Sequence, residues 1–162
     1  MLQVNIAEDC IFIASTVAYH SSWKGLFVPK HPEKYRGDVR CIIYRSFLEL
    51  KMMLALDKDD RVEWWTSEET IVRYRSPVDG QTHRYFPDFL VKPRGEQVKM
   101  IEVKHSNQCR APKRGKKTRR RYAEELREWA VNSSKWEAAS AYCAQKGWRF
   151  QVMTETDLGV TY

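Results

Sequence analysis

Three short apolar runs between residues 70 and 104, separated by turn residues, constrain the fold more than any other feature. Thr70-Ile-Val-Arg-Tyr-Arg75 and Thr82-His-Arg-Tyr-Phe-Pro-Asp-Phe-Leu-Val91 flank Ser76-Pro-Val-Asp-Gly80. β-Branched and aromatic residues on either side of a Pro and Asp-Gly turn predict a β-hairpin. A loop around Pro93 to Gly95 leads into a third run, Val98-Lys-Met-Ile-Glu-Val-Lys104. The 14 residues from Asp88 to Glu102 fit a short connection between adjacent strands.

Helical patterns lie on both sides of these strands. From Arg40 to Leu56, Ile43, Phe47, Leu50 and Leu54 recur at spacings of four, three and four. From about Arg119 to Lys146, Tyr122, Leu126, Trp129, Ser133, Trp136, Ser140 and Cys143 repeat in the same way. Asn132 and the capping box Ser134-Lys-Trp-Glu137 allow two consecutive helices there as readily as one. Gly147 suits the position just past a helix end. Trp148, Phe150 and Val152 then alternate with Arg149 and Gln151, predicting a closing half-buried strand. Residues 25 to 40, with Gly25, Pro29, Pro32 and Gly37, read as an extended arm. The order is helix, three strands, helix or helices, strand. That makes an α/β or α+β domain with a small mixed sheet flanked by helices.

Charge is distributed unevenly. The net charge is +7, and eight cations (Arg110, Lys113, Arg114, Lys116, Lys117, Arg119, Arg120, Arg121) lie within twelve residues that hold no acid. Without them the chain has 20 basic against 21 acidic residues, so its basicity is a local device for meeting a polyanion. Pro112 and Gly115 argue against helix through the first half of this block. Cys10, Cys41, Cys109 and Cys143 make no C-x-x-C pair, which argues against zinc and for reduced thiols in a cytoplasmic compartment. The apolar run from Cys10 to Tyr19 is too short to span a bilayer. Glu8 and Asp9 precede it and the first cation is Lys24, so it reads as an accessory strand or short helix of a soluble protein.

The candidate chemistry sits on the strands. Residues two apart on a strand share a face, so Glu102 and Lys104 project together, and Asp88 meets them if the two strands pair. Two carboxylates beside an ammonium are what metal-assisted phosphodiester hydrolysis uses. The carboxylates hold a hard cation with retained waters, and the ammonium orients water or balances transition-state charge. Glu49 is a further candidate, because its helical neighbours Ile42, Met53 and Leu56 are apolar and a carboxylate there is costly to desolvate. Reaching to water or pairing with Arg45 would relieve that cost. His83 and His105 flank the motif strands, with hairpin packing and solvent exposure as their ordinary roles. Trp129 and Trp136 have core spacing, and Asp79-Gly80 reads as a turn.

Pro87-Asp88 with Glu102-Val103-Lys104 resembles the P-D…(D/E)-x-K signature of the restriction-endonuclease-like superfamily. Arg45-Ser46-Phe47-Leu48-Glu49 is similar to the R-S-x-x-E element of the branch that includes the TnsA transposon-end nucleases. A likeness over roughly residues 22 to 159 runs through Tyr74-Arg-Ser-Pro-Val-Asp-Gly80 and His83-Arg-Tyr-Phe-Pro-Asp-Phe89 to the head-completion nucleases of T4-type tailed phages. The resemblance implies a restriction-endonuclease-like core over residues 25–162 behind an N-terminal extension, 1–24. It implies a Mg2+-dependent deoxyribonuclease, with Mn2+ as a substitute, in which Glu49, Asp88, Glu102 and Lys104 are catalytic and the three acids hold the metal. Endonucleolytic cutting is favoured over exonucleolytic. The eight cations of 110–121 would bind DNA, portal, neck or head proteins are possible partners, and no membrane is involved. The setting would be the host cytoplasm during phage assembly, with virion association as a further option. The alternatives are a structural head or neck component that retains the nuclease fold with little activity, and a transposon-end nuclease. Residues 1 to about 21 lie outside the likeness, and His105 stands where the family usually has proline.

Overall fold

In the computed structural model, which describes residues 24–160, two short strands precede the first helix. Strand β1 (Gly25–Leu26) pairs antiparallel with β2 (Ile43–Tyr44). Gly25 backs onto the ring of Tyr44, where any Cβ would clash. Helix α1 (Phe47–Lys58) therefore starts later than the pattern from Arg40 suggests. Its start is set by Ser46, whose Oγ accepts from the Glu49 N–H at 3.1 Å while the Glu49 carboxylate turns back onto Ser46 Oγ at 2.9 Å. This is a variant of the capping box in which the Glu49 carboxylate takes the Arg45 N–H instead of that of Ser46, the local chemistry that ends the preceding strand and nucleates the helix. Its buried side chains are Leu48, Met52, Met53, Leu56 and Asp57, whereas Leu54, expected on the apolar stripe, is exposed. The arm between β1 and β2 is tied to the far end of α1, where the Lys34 ammonium donates to the carbonyls of Asp57 (2.9 Å) and Asp59 (3.1 Å).

The central sheet has the order β3 (Val62–Ser67), β6 (Phe89–Pro93), β7 (Lys99–Val103), β8 (Arg149–Met153). β3–β6 and β6–β7 are antiparallel, and β7–β8 is parallel. The parallel pair needs a long crossover, supplied by α2 (Arg119–Lys146). That helix is continuous through Asn132, so the two-helix option does not hold. Asn and Ser cost a helix interior only a few tenths of a kcal/mol each, about 0.5, less than docking Ala139 and Cys143 on the sheet returns. Gly147, in the left-handed region at φ 68°, ends it.

β4 (Val72–Arg75) and β5 (Thr82–Tyr85) form the expected hairpin, but as a separate two-stranded sheet. Thr82 to Val91 is thus not one strand. Pro87 has no N–H to donate and holds Phe86 extended, so the ladder breaks and the chain passes from the hairpin into the central sheet.

The central sheet separates two cores. On one face Phe89, Val91, Ile101 and Val103 pack with Trp65, Tyr35 and the buried side of α1. On the other, Met100 packs with Ala139 and Cys143 of α2 and with Val72, Tyr74 and Tyr85 of the hairpin, joined by Leu90. Alternation along β6 and β7 puts Asp88 with Leu90, and Glu102 with Met100, on this second face. Only the C-terminal half of α2 is docked. Leu126 and Ser140, expected on its core stripe, are exposed, and Trp129 is half-buried. No helix among the described residues is long and apolar enough to cross a membrane. The run from Cys10 to Tyr19 and residues 1–23 of the extension 1–24 lie outside the described residues.

Candidate active site

Asp88 lies immediately before β6, opposite the end of β7, because Phe89 pairs with Ile101 in an antiparallel register. Its Oδ2 accepts from the Val103 N–H at 2.7 Å, so the carboxyl of one strand is bonded to the backbone of the next. Glu102, 3% exposed, is buried beneath it. The Tyr85 hydroxyl donates to Glu102 Oε2 at 2.6 Å, and the Lys104 ammonium meets Oε1 at 3.1 Å. Both oxygens of Glu102 are thereby oriented. Lys104 follows β7, with its N–H donating to the Met153 carbonyl at 2.9 Å, so the parallel ladder holds the backbone on which that ammonium is mounted.

The electrostatics follow from burial. Burial pushes the Asp88 carboxyl well above the ordinary aspartate range, and the Glu102 charge beside it adds to this. The Val103 N–H and Lys104 pull the other way, while Glu49 raises it further. Desolvation draws the Lys104 ammonium down, but Glu102, Asp88 and Glu49 together hold it above the usual lysine value. It therefore stays charged through the physiological range and serves as a cation, not as a base. Burial, followed by the Glu102 charge, raises the Tyr85 phenol, so that hydroxyl remains a donor.

Asp88, Glu102 and Lys104 are thus brought together, while Glu49 arrives from the other core side with its oxygens engaged. Oε2 accepts from the Arg45 N–H at 2.7 Å and Oε1 from Ser46 Oγ. Glu49 is close enough to act on Asp88 and Lys104 through charge. Yet no group of three or more His, Cys, Asp and Glu side chains among the described residues closes into a ligand set. Of the three acids expected to hold the metal, Asp88 and Glu102 lie together, while the Glu49 oxygens are taken up by the Arg45 N–H and Ser46 Oγ. The two remaining carboxylates suit a hard cation that keeps most of its waters, such as Mg2+. If both buried carboxylates ionise, their charge exceeds that of the one Lys104 ammonium beside Glu102, an excess that such a cation would neutralise.

Sequence reasoning missed three contributors. Tyr85 lies three residues before Asp88, across the proline, and reaches Glu102 because the hairpin folds over the second face of the sheet. Lys135 of α2 caps it, with Nζ 5.5 Å from the Tyr85 ring. Glu68, at the end of β3 with φ 55°, pairs its carboxylate with the Arg45 guanidinium, and its N–H donates to the Asp88 carbonyl at 3.1 Å. Arg45 thus binds Glu68 through its side chain and Glu49 through its backbone, a split the i−4 spacing did not reveal. Tyr85 was legible only as part of the His83-Arg-Tyr-Phe-Pro-Asp-Phe89 likeness. Asp79 accepts from the His83 ring at 2.8 Å within the hairpin turn, so His83 serves the hairpin. His105 is half exposed and lies 3.9 Å from Glu155.

The profile of the TnsA-like endonuclease N-terminal family matches residues 59–155, a span holding Asp88, Glu102 and Lys104. The head completion nuclease of Enterobacteria phage T4 is 33% identical over 141 residues, covering 85% of this chain and 94% of that protein. The chain belongs to the TnsA-like endonuclease family. Membership makes it a nuclease on a restriction-endonuclease-like fold, in agreement with the mixed sheet and its flanking helices. The family match starts at Asp59, so Glu49 and its capping box lie before it.

The cations of 110–121 split into two groups. Lys117 and Arg121 pair with Glu125 and Arg120 with Glu124, so part of the positive charge is spent within α2. Arg110, Lys113, Arg114, Lys116 and Arg119 make no such ion pair among the described residues, and only from Arg119 onward is the block helical. Three arginines then occupy the first turn of α2, where the helix dipole disfavours cations, a placement that folding alone does not reward.

Proposed function

We propose that this chain is a Mg2+-dependent DNA endonuclease that acts on DNA during phage head completion. Asp88 and Glu102 hold the cation, and Mn2+ substitutes for Mg2+. The observation that carries the reading is the union of a buried carboxylate, Glu102, with a charged Lys104 at 3.1 Å and a second carboxylate bonded across to the same strand. A structural role alone would not place these groups in a sheet interior, because each is costly to desolvate.

The bound cation would neutralise phosphoryl oxygens and lower the pKa of a bound water. The protein's own residues do the rest. Tyr85 and Lys104 hold Glu102 in one orientation, and the Val103 N–H does the same for Asp88. Lys104, kept charged by its neighbours, orients the attacking water and balances charge developing on the phosphoryl group. Glu49 contributes negative charge from the helix cap and would serve as a further metal ligand if one oxygen left Ser46. The cations of 110–121 hold the DNA backbone, with little base readout. The head completion role rests on the phage relative, whose name states it. A setting in the host cytoplasm during assembly goes with this reading, with portal, neck or head proteins as candidate partners.

The test is to incubate the protein with linear, nicked and branched DNA in Mg2+, Mn2+ or EDTA, beside Asp88→Ala and Lys104→Ala. Cleavage in either metal, abolished by EDTA and by each substitution, is expected. Cleavage that survives both substitutions would sink the site. A wild-type chain that binds DNA but cuts none of it would favour a structural head component instead.

A further inference from the structure

Between the basic segment and the exposed half of α2 lies a cleft of about 590 Å3, within the range of ~300–1,000 Å3 that small-ligand pockets occupy. Its lining is not that of a plain phosphate groove. Beside Arg110 and Lys113 stand the half-buried indole of Trp129 and three amides, Asn107, Gln108 and Asn132. Lys117 and Arg121 also border it, but Glu125 takes up their charge. A groove that only follows a phosphate backbone needs cations. A flat aromatic face together with amides, each both donor and acceptor, suits a base presented with its face and its edge.

In a duplex the bases are stacked on each other, so none offers a face to an indole. An unpaired nucleotide does. The cleft is also tied to the catalytic strand. Asn107 comes three residues after Lys104, no more than ~11 Å along the chain, and the intervening turn is anchored. Ser106 donates to Glu155 through its N–H at 2.8 Å and its Oγ at 2.5 Å. Glu155 follows β8, the strand whose Met153 carbonyl also holds Lys104. Asn107, at the edge of the cleft, is thus fixed within ~11 Å of Lys104, which brings a nucleotide in the cleft near the bond being cut.

We propose that this cleft receives an unpaired nucleotide of the substrate strand, stacked on Trp129. The substrate class is then DNA with a single-stranded stretch at or beside the cleavage point (an overhang, flap or branch), not continuous duplex. The proposal rests on the nuclease reading for its place beside a cut, but its binding step is testable without catalysis.

The intact chain is titrated in EDTA against fluorescently labelled single-stranded, overhang and blunt duplex DNA, following anisotropy, with Trp129→Ala, Trp129→Phe and Gln108→Ala alongside. Loss of one base–aromatic stack predicts that Trp129→Ala weakens single-stranded and overhang binding by about 5- to 150-fold. Trp129→Phe should retain most of that affinity, and blunt duplex binding should stay unchanged in all three variants. Gln108 is exposed on the turn, so its replacement does not threaten folding and should lower only single-strand affinity. Equal losses on all three DNAs, or no loss on any, would overturn the proposal. Cleavage in Mg2+ is read separately. Efficient cutting of blunt duplex by both wild type and Trp129→Ala removes the cleft from the mechanism and leaves the nuclease intact. Trp129-dependent binding without cleavage on any DNA overturns the nuclease reading while the cleft stands.

Discussion

The start of β6 with the end of β7, and the segment 110–121, are both rich in charge, and they manage it in opposite ways. At the strand ends, Glu102 is buried, both its oxygens are held, and Asp88 is bonded to the backbone of the next strand. Over 110–121, five cations have no ion-pair partner among the described residues and the backbone is irregular up to Arg119. Stabilising charge as a bond breaks rewards groups fixed beforehand in a dry site, since no reorganisation is then needed. Gripping a phosphate backbone rewards the number of cations and the release of counterions, with little demand on their geometry. One region is thus built for position and the other for quantity, and substitutions should show it.

The largest effect is expected from Glu102→Gln, which keeps the shape but removes the charge that faces Lys104. Cleavage should fall by about 10²- to 10³-fold while DNA affinity in EDTA changes little. A parallel loss of affinity would mean that the strand ends grip DNA as well as cut it. Replacing Lys113, Arg114, Lys116 and Arg119 together by Gln should do the reverse. The slope of log affinity against log salt should drop by about 3 to 4 units, with the turnover of saturated enzyme nearly unchanged. If the slope stays put, these cations do not meet phosphates.

Tyr85→Phe tests orientation alone, because it removes one hydrogen bond to Glu102 and leaves the ring. Partners that orient a metal ligand are worth about 10- to 100-fold. The low end of that range is expected here, seen as a higher Mg2+ requirement with unaltered DNA affinity. A purely structural tyrosine would shift thermal stability and leave the Mg2+ titration alone.

The smallest effect concerns stability. The Asp88 carboxyl holds its proton more tightly folded than unfolded. The stability this lends is complete below the ordinary aspartate pKa and is lost as pH rises through the raised folded value. At neutral pH without metal, charged Asp88 is therefore a cost. Asp88→Asn is neutral at every pH and can still accept from the Val103 N–H, so in EDTA at neutral pH its Tm should exceed that of wild type by a few degrees, roughly 2–8 °C per kcal/mol. At acid pH the gap should close. A lower Tm at neutral pH would show that the charge is already compensated without a cation.

Much was legible in the chain before folding. The hairpin of 72–85, the strand of 99–103, the closing strand beside a crossover helix and the irregular basic block all follow from local pattern and turn chemistry. So did the convergence of Asp88, Glu102 and Lys104, because a period of two and a short connection leave little freedom. The start of α1 was misread although its signal was present. Ser46 caps the helix through Glu49, but Ile43 extends the helical period upstream, and only the pairing of Ile43 and Tyr44 with Leu26 and Gly25 shows that they are strand. Likewise the split of Thr82–Val91 hangs on Pro87, while which sheet each half joins is a long-range matter.

Residue type and spacing by themselves determined the juxtaposition of Asp88, Glu102 and Lys104, the adjacent strands that carry them and the concentration of positive charge, since these depend on neighbours close in sequence. Tertiary structure decided which oxygens are occupied. Tyr85 reaches Glu102 from a second sheet, Glu49 is held at its cap, Arg45 is drawn to Glu68, and the N-terminal half of α2 is left clear of the core so that Trp129 faces the basic segment. Each of these depends on elements far apart in the chain being packed together, and no local period encodes which groups will then be desolvated side by side.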